Sequence, residues 1–133
     1  MEKIHVEGDP KLKNSIGKQY SMFIGRWQPW HSGHRWLIDQ RLKEGKNVLI
    51  CIRDVQPDEK NPFTTEQVHS NIVFELLDLI HEKRVEIIKI PDIESVNFGR
   101  GVGYDIIEHI PPTEVSEISA TKIREQMKQE GKL

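Results

Sequence analysis

The feature that most constrains the fold is a nearly continuous apolar run, NVLICIRD at residues 47 to 54. Such a run is typical of a strand that is covered on both faces, as strands of a parallel sheet are. Two further strands are predicted from apolar runs, YSMFI at 20 to 24 and RVEIIKIPD at 84 to 92. Because helical patterns separate these runs, the sequence predicts a doubly wound α/β domain, with a parallel sheet of about five strands and flanking helices.

Three segments between and after these strands have the pattern of helices. The first, residues 33 to 45, ends at Gly45, a residue suited to a helix C-terminus. The second begins at Thr64 and Thr65 and is predicted to be one long helix. Its apolar stripe consists of Val68, Ile72, Val73, Leu76, Leu77 and Ile80. The third is SATKIREQMKQE, which begins with a Ser or Thr cap.

The segment before this last helix supplies the remaining strands of the prediction. ESVNFG is interpreted as a short strand, and GYDIIEHI as a strand or a brief helix. EVSEI, at residues 114 to 118, is predicted to be the last strand. Residues 1 to 19 are polar and contain a GDP turn, so they are predicted to form a flexible or loosely packed arm before a domain at 20 to 133.

Composition excludes several classes of protein. A length of 133 residues suits one domain with its own core. The formal net charge of −2 gives no basic field for a nucleic-acid partner. No apolar run is long enough to span a membrane, and the N-terminus lacks the apolar core of a secretory signal. The single cysteine, Cys51, is interpreted as a buried apolar residue, so a reducing cytoplasmic location is expected.

The residues most suggestive of chemistry are GRWQPWHSGHRWL at 25 to 37, which follow the first predicted strand and enter the first helix. Parallel sheets bind ligands at the carboxyl ends of their strands, and a helix N-terminus there attracts phosphate. ISATKIR near the C-terminus begins a second helix, with two hydroxyl groups and two cations in its first turns. Two such helix starts in one small domain predict a polyphosphate ligand.

Other interpretations of these residues are structural. His31 and His34 could be zinc ligands, but the chain offers no clear third and fourth ligand, so no metal site made of side chains is predicted. Trp27, Trp30 and Trp36 are interpreted mainly as packing residues and pocket walls. GRGVG at 99 to 103 does not follow the first strand, so it fits a dinucleotide-binding turn poorly, and an ordinary loop is favoured over a loop that binds an acceptor substrate.

These motifs carry a resemblance to a known family. GRWQPWHSGH resembles the G-R-F-x-P-x-H-x-G-H signature of the nucleotidylyltransferase superfamily, and ISATKIR resembles its I-S-S/T-T-x-I-R motif. Their order and separation suit one Rossmann-like unit. NPFTTEQV is similar to a segment that follows the second strand in archaeal-type nicotinamide-nucleotide adenylyltransferases.

The resemblance implies a Mg²⁺-assisted transfer. A phosphate or similar oxyanion on a small acceptor attacks the α-phosphorus of a nucleoside triphosphate, ATP or CTP, and pyrophosphate leaves. In this scheme His31 and His34 donate hydrogen bonds to the triphosphate, and Arg124 contacts phosphate oxygens. The other nucleotide-binding candidates are Gly25, Arg26, Gly33, Ser119, Thr121 and Lys122. Lys60 and Arg100 are candidates for binding the anionic acceptor, and Lys60 could also close over the triphosphate.

Three functions are compatible with these residues. The signature favours an adenylyltransferase. The short span between the third strand and ISATKIR is closer to the compact glycerol-phosphate-type cytidylyltransferases, although those usually have G-T-F-D where this chain has GRWQP. The third possibility is a non-catalytic nucleotide-binding module, which the shortened acceptor region suggests. By analogy with relatives of this size, a homodimer is expected.

Overall fold

The computed structural model describes residues 17–101 and 103–133, which contain a three-stranded parallel sheet. Strands β1 (Tyr20–Gly25), β2 (Asn47–Asp54) and β3 (Val85–Pro91) lie side by side in the order β1-β2-β3. Each agrees with a predicted strand to within one residue at either end. The prediction of about five strands is wrong, because the described residues after Pro91 form no strand.

Helices connect and follow these strands. Helix α1 (Ser32–Leu42) joins β1 to β2, and helices α2 (Thr65–Glu75) and α3 (Leu77–His81) join β2 to β3. The chain ends with α4 (Thr113–Ser116) and α5 (Ala120–Gln129). The α/β class and the parallel sheet flanked by helices are therefore confirmed. None of the helices in the described residues is long and apolar enough to cross a membrane.

The core lies on one face of the sheet. The register pairs Val48 with Val85 and Ile50 with Ile87, and all four side chains are at most 4 % exposed. Because side chains alternate along a strand, Met22 lies on the opposite face, where it is 57 % exposed. The helical residues packed in the core are Ile38, Leu42, Val68, Ile72 and Leu76. Burial of each large aliphatic side chain contributes roughly 1.5–3 kcal/mol, so this face fixes how α1 and α2 sit on the sheet.

The long helix predicted after Thr64 is interrupted. Leu76 has φ −119° and ψ 22°, which ends α2 and separates it from α3. Leu76 itself is buried, but Leu77, which was assigned to the same apolar stripe, is 53 % exposed. Leu77 begins α3, which contains no buried residue, so the prediction for Leu77 is wrong. Residues 69 to 75 contain no Pro or Gly, so the sequence gives no sign of the break.

The segment after β3 differs most from the prediction. Residues 92–101 and 103–112 form neither strand nor helix, and EVSEI, predicted as the last strand, contains the short helix α4 instead. Gly101 and Gly103 have positive φ angles, 68° and 78°, which no strand continues through. The large apolar side chains here are exposed, among them Phe98, Ile106 and Ile110, so no burial stabilises a strand.

Two local predictions agree with the structure. Gly45 has φ 79°, and the N–H groups of Gly45 and Lys46 donate to the carbonyls of Leu42 and Arg41, which closes α1 as predicted. Cys51 is 1 % exposed in β2, and burial raises the pKa of its thiol to about 11. The predicted arm lies outside the described residues except for residues 17 to 19.

Candidate functional site

The candidate site is built around the loop from Arg26 to His31, which follows β1 and enters α1. Two of its tryptophans belong to the core, since Trp27 is 6 % and Trp30 8 % exposed. The indole Nε1–H of Trp27 donates to the carbonyl of Cys51 at 3.1 Å, which ties the loop to β2. The interpretation of these two tryptophans as packing residues is confirmed, and Trp36 on α1 is half-buried.

The two glycines of the motif are required by the packing of this loop. A Cβ atom on Gly25 would lie 2.8 Å from the Trp27 ring, and one on Gly33 would lie 2.9 Å from the His31 ring. Both distances are far inside van der Waals contact. The loop therefore needs glycine at both positions before any ligand is considered, and the predicted close approach of a nucleotide to them stays a prediction.

The two histidines cap the first turn of α1 through their side chains. His31 Nδ1 accepts a hydrogen bond from the N–H of Gly33 at 3.1 Å, and His34 Nδ1 accepts one from the N–H of His31 at 3.2 Å. This reciprocal arrangement is a capping box in which imidazoles replace the usual hydroxyl and carboxyl groups. It explains how a helix can begin at His31, although histidine is not among the preferred cap residues.

The caps also determine which nitrogen of each histidine can act as a donor. Because Nδ1 accepts a hydrogen bond in both rings, the proton of each neutral imidazole must lie on Nε2. Burial lowers the pKa of His34 to about 3, with a further contribution from His31, and burial also lowers the pKa of His31. The rings are stacked with their centroids 3.6 Å apart. Two neutral N–H donors are thus held side by side.

The second motif lies against the first. Arg124 Nη1 donates to the carbonyl of Gln28 at 2.6 Å, across 96 residues of sequence, and Arg124 Nη2 donates to Thr121 Oγ1 at 3.3 Å. Ile118 lies 3.7 Å from the position that a Cβ of Gly33 would occupy. The predicted site residues His31, His34, Gly33, Thr121 and Arg124 are therefore brought together at the starts of α1 and α5.

The remaining predicted residues lie around this centre or away from it. Ser119 caps α5, its hydroxyl accepting from the N–H of Lys122 at 3.3 Å, and Lys122 itself is exposed. Arg26 is also exposed. Arg100 lies in the irregular segment after β3, and the hydrogen bonds and ring contacts of the described residues do not join it to the histidine pair. Beside it is an open cavity of about 450 Å³, lined by Phe98, Gly99, Gly101, Gly103, Tyr104 and Asp105.

Lys60 is exposed in the loop of residues 55 to 64, which follows β2 and is called the 55–64 loop below. Asp58 Oδ1 accepts from the N–H groups of Lys60 and Asn61 at 2.9 and 2.7 Å. The backbone hydrogen bond from Asn61 is the main cause that lowers the pKa of Asp58, and the positive charge of Arg26 adds to it. The 55–64 loop therefore lies close to Arg26 and to the first motif.

One buried polar residue of this region was not singled out from sequence. Gln28 is 5 % exposed, and its side-chain amide exchanges two hydrogen bonds with the backbone of Phe63, each 3.0 Å long. The available sequence signal was a glutamine between two tryptophans in an otherwise apolar packing loop. A polar side chain in such surroundings must find partners when it is buried.

The described residues contain no group of three or more His, Cys, Asp or Glu side chains that could hold a metal ion. Two cations belong to this region, Arg124, which is hydrogen-bonded to the Gln28 carbonyl, and Arg26, which lies in the same loop as Gln28 and whose charge also acts on Asp58. Together with the two N–H donors, they make this a place suited to an anion.

Comparison with known proteins finds several nicotinamide-nucleotide adenylyltransferases, most of them archaeal. The chain is 35% identical over 74 residues to the nicotinamide-nucleotide adenylyltransferase of Thermococcus onnurineus, and 27% identical over 113 residues to that of Thermococcus kodakarensis. It is 30% identical over 76 residues to the nicotinamide/nicotinic acid mononucleotide adenylyltransferase of Acinetobacter baylyi. These matches cover 54%, 83% and 56% of this chain, respectively. No family model matches the chain.

The chain spans only part of these relatives, 40% of the length of the Acinetobacter baylyi and Thermococcus onnurineus proteins and 58% of the Thermococcus kodakarensis protein. The names of the relatives support adenylyl transfer in general. The resemblance of this chain to nucleotidylyltransferases, in particular to nicotinamide-nucleotide adenylyltransferases, is confirmed.

Proposed function

We propose that the chain is a nucleotidylyltransferase that transfers AMP from ATP to a small phosphorylated acceptor. A phosphate oxygen of the acceptor forms a bond to the α-phosphorus, the bond between the α-phosphorus and its bridging oxygen to the β-phosphate breaks, and pyrophosphate leaves with that oxygen. The observation that carries the proposal is the meeting of two distant motifs, in which the stacked histidine donors lie beside the α5 start that Arg124 joins to Gln28.

The histidines suit this reaction because they are neutral donors in fixed positions. Phosphoryl transfer depends on positioning and on stabilising charge, more than on a covalent nucleophile. The Nε2–H groups of His31 and His34 are oriented by their Nδ1 hydrogen bonds before substrate arrives, so little reorganisation is needed when charge develops on the α-phosphate. In this proposal the two imidazoles bind the α-phosphate region and stabilise the transition state.

The start of α5 supports the rest of the triphosphate. The backbone N–H groups of its first turn carry the positive end of the helix dipole. Thr121 and Lys122 are exposed there, and Ser119 fixes the first turn as its cap. Arg124 keeps further N–H groups for phosphate oxygens besides the two hydrogen bonds that orient it. We assign these groups to the β- and γ-phosphates.

The proposed cofactor is Mg²⁺, which would arrive bound to the triphosphate and would neutralise its charge. The residues fit this arrangement, since the histidine N–H groups and Arg124 are donors that would bind phosphate oxygens directly and leave the metal to its waters and the phosphates. Mg²⁺ keeps several of its waters and needs few protein ligands when phosphates coordinate it.

Two other functions remain as alternatives. A cytidylyltransferase that forms a CDP-linked product would use the same phosphate groups with a different base. A non-catalytic nucleotide-binding module is favoured by one observation, the irregular segment at 92–101 and 103–112, where an acceptor would have to bind and where apolar side chains such as Ile106 and Ile110 are exposed.

A screen for pyrophosphate release tests the proposal. The protein is incubated with Mg²⁺ and each of the four common ribonucleoside triphosphates, crossed with a panel of phosphomonoesters that includes nicotinamide mononucleotide. The expected result is release with ATP and at least one acceptor. Release with CTP alone would establish the cytidylyl alternative. Triphosphate binding without release for any pair would support the non-catalytic module, and absence of binding would contradict all three functions.

The His81→Ala variant is the matched control for changes at the histidine pair. His81 is exposed at the end of α3, so its loss leaves the starts of α1 and α5 unchanged. Transferase activity that depends on the histidine pair should be unchanged in His81→Ala.

A further inference from the structure

The side-chain amide of Gln28 joins the first motif to the 55–64 loop. Its Nε2 donates to the carbonyl of Phe63, and its Oε1 accepts from the N–H of Phe63, both at 3.0 Å. One side-chain amide thus replaces the two hydrogen bonds that a neighbouring strand would give Phe63. Since Gln28 is 5 % exposed, water competes little for these bonds.

The backbone of the same residue holds the second motif. The carbonyl of Gln28 accepts from Arg124 Nη1 at 2.6 Å. Gln28 therefore contacts the 55–64 loop with its side chain and α5 with its main chain, while its own position is fixed by its neighbour Trp27 in the core. A displacement of Gln28 would move both partners.

The 55–64 loop is an ordered unit that Gln28 can position as a whole. Asp58 Oδ1 accepts from the N–H groups of Lys60 and Asn61 and from the Asn61 side chain, so the loop is closed on itself. The two residues that flank the loop are also joined, since Thr65 Oγ1 donates to Asp54 Oδ1 at 2.7 Å. Lys60 is exposed on this unit, beside the part of the loop that lies near Arg26.

We propose that Gln28 is a positioning residue, whose amide holds the 55–64 loop so that the Lys60 ammonium group adds to triphosphate binding. The inference rests on the proposed function, because it assigns the ligand of this cation to the same triphosphate. Gln28 itself needs no contact with the ligand. Its effect passes through Phe63 to the loop and through its carbonyl to Arg124.

A purely structural role for Gln28 would give a different result, and a double-mutant cycle separates the two. Gln28→Met removes both amide hydrogen bonds while keeping the length of the side chain. Lys60→Ala removes the cation. Gln40→Met is the matched control, because Gln40 also donates its amide Nε2 to a carbonyl, that of Trp36, but within α1 and away from the 55–64 loop.

The experiment measures the dissociation constant for Mg²⁺·ATP by calorimetry, at a temperature where circular dichroism shows each variant folded. We expect Lys60→Ala to weaken binding by about threefold or more in the wild-type background, and Gln28→Met to weaken it at least as much. In the Gln28→Met background, Lys60→Ala should have almost no further effect. Gln40→Met should bind as the wild type does.

Hydrogen exchange provides a second readout on the free protein. The Phe63 amide should exchange faster in Gln28→Met than in the wild type and be unchanged in Gln40→Met. If Gln28→Met does not fold, Gln28→Glu replaces it, since the carboxylate keeps the bond from the Phe63 N–H and loses the donor to the Phe63 carbonyl.

Two outcomes would overturn the proposal while leaving the proposed function intact. One is an unchanged dissociation constant in Lys60→Ala, and the other is full additivity of the two substitutions, in a protein whose wild type releases pyrophosphate. A wild type that binds no triphosphate would instead overturn the proposed function, and this inference with it.

Discussion

The two helix starts that form the candidate site are built in different ways. Helix α1 begins with two half-buried imidazole caps, of which His34 contacts the rings of Trp27 and Trp30. The helix packs into the core through Ile38 and Leu42. Helix α5 begins with a hydroxyl cap and contributes no fully buried residue. Its position depends on Arg124. The comparison indicates that the α1 start is preorganised, whereas the α5 start is held less rigidly.

The largest effect is expected at the preorganised start. Replacement of His34 by alanine should lower turnover by roughly 10² or more, because it removes a donor aimed at charge that develops in the transition state. Turnover is measured as pyrophosphate release with ATP and the best acceptor of the screen. The variant should still fold, since His34 is not part of the hydrophobic core.

Unchanged turnover in His34→Ala would remove His34 from the site and contradict the comparison between the two helix starts. The His81→Ala control should keep wild-type turnover. A fall in both variants would point to a general effect on the protein.

A smaller effect is expected from Arg124→Ala. This substitution should weaken triphosphate binding by about tenfold or more, as the loss of a hydrogen bond to a charged group does, with less change in turnover at saturating ATP. The dissociation constant is measured by calorimetry. Lys128→Ala, on the exposed last turn of α5, serves as the control.

If Arg124→Ala left affinity unaltered, Arg124 would be only the structural link between α5 and the Gln28 carbonyl. If turnover fell more than affinity, the α5 start would be as preorganised as α1. Either result would change the roles assigned to the starts of α1 and α5.

The buried imidazoles also predict how stability depends on pH. The pKa of His34 is about 3 in the folded protein and ordinarily 6.5, so the unfolded chain binds a proton between these values and the folded chain does not. The free energy of unfolding should therefore fall as pH decreases from 6.5 toward 3. Urea titrations at several pH values measure how steeply the free energy of unfolding depends on pH. His34 contributes at most the uptake of one proton to this dependence.

The contribution of His34 is obtained by comparison with variants. Between pH 5 and 6.5, the free energy of unfolding should depend less steeply on pH in His34→Gln than in the wild type. His81→Gln should keep the wild-type slope. Equal slopes in the wild type and His34→Gln would show that the His34 ring is protonated in the folded protein, contrary to its assignment as a neutral donor.

The smallest effect is expected at the cap of α5. Ser119→Ala should lower the free energy of unfolding by about 1 kcal/mol or less, because the hydrogen bond to the Lys122 N–H is long, at 3.3 Å. Denaturant titration measures this, with Ser70→Ala on an exposed position of α2 as the control. A cost well above 2 kcal/mol would show that the α5 start is held more rigidly than the structure indicates.

The sequence predicted the sheet well where burial decides the structure. The apolar run of β2 and its two neighbours predicted strand bounds to within one residue, because these strands alternate apolar side chains into the core, among them Ile50, Ile87 and Phe23. The segment after β3 was predicted as strands from its apolar residues. It fails as a strand because those side chains remain exposed and because Gly101 and Gly103 turn the chain.

The site was predicted only in part, for a similar reason. Two motifs separated by nearly the whole domain could be paired by resemblance and by topology. The two hydrogen bonds between Gln28 and Phe63 could not be predicted, because they depend on a contact between loops that no periodic pattern specifies. The imidazole capping box was also missed, since sequence rules for helix starts look for hydroxyl, amide and carboxyl groups.

The burial of Cys51 has a practical consequence for these experiments. The chain has a single cysteine, it is 1 % exposed, and its pKa is raised to about 11, so little reactive thiolate forms near neutral pH. A cysteine introduced on the 55–64 loop would therefore be the thiol that a maleimide dye modifies. A fluorophore attached there could report the position of the loop in solution, without removal of the native thiol from the core.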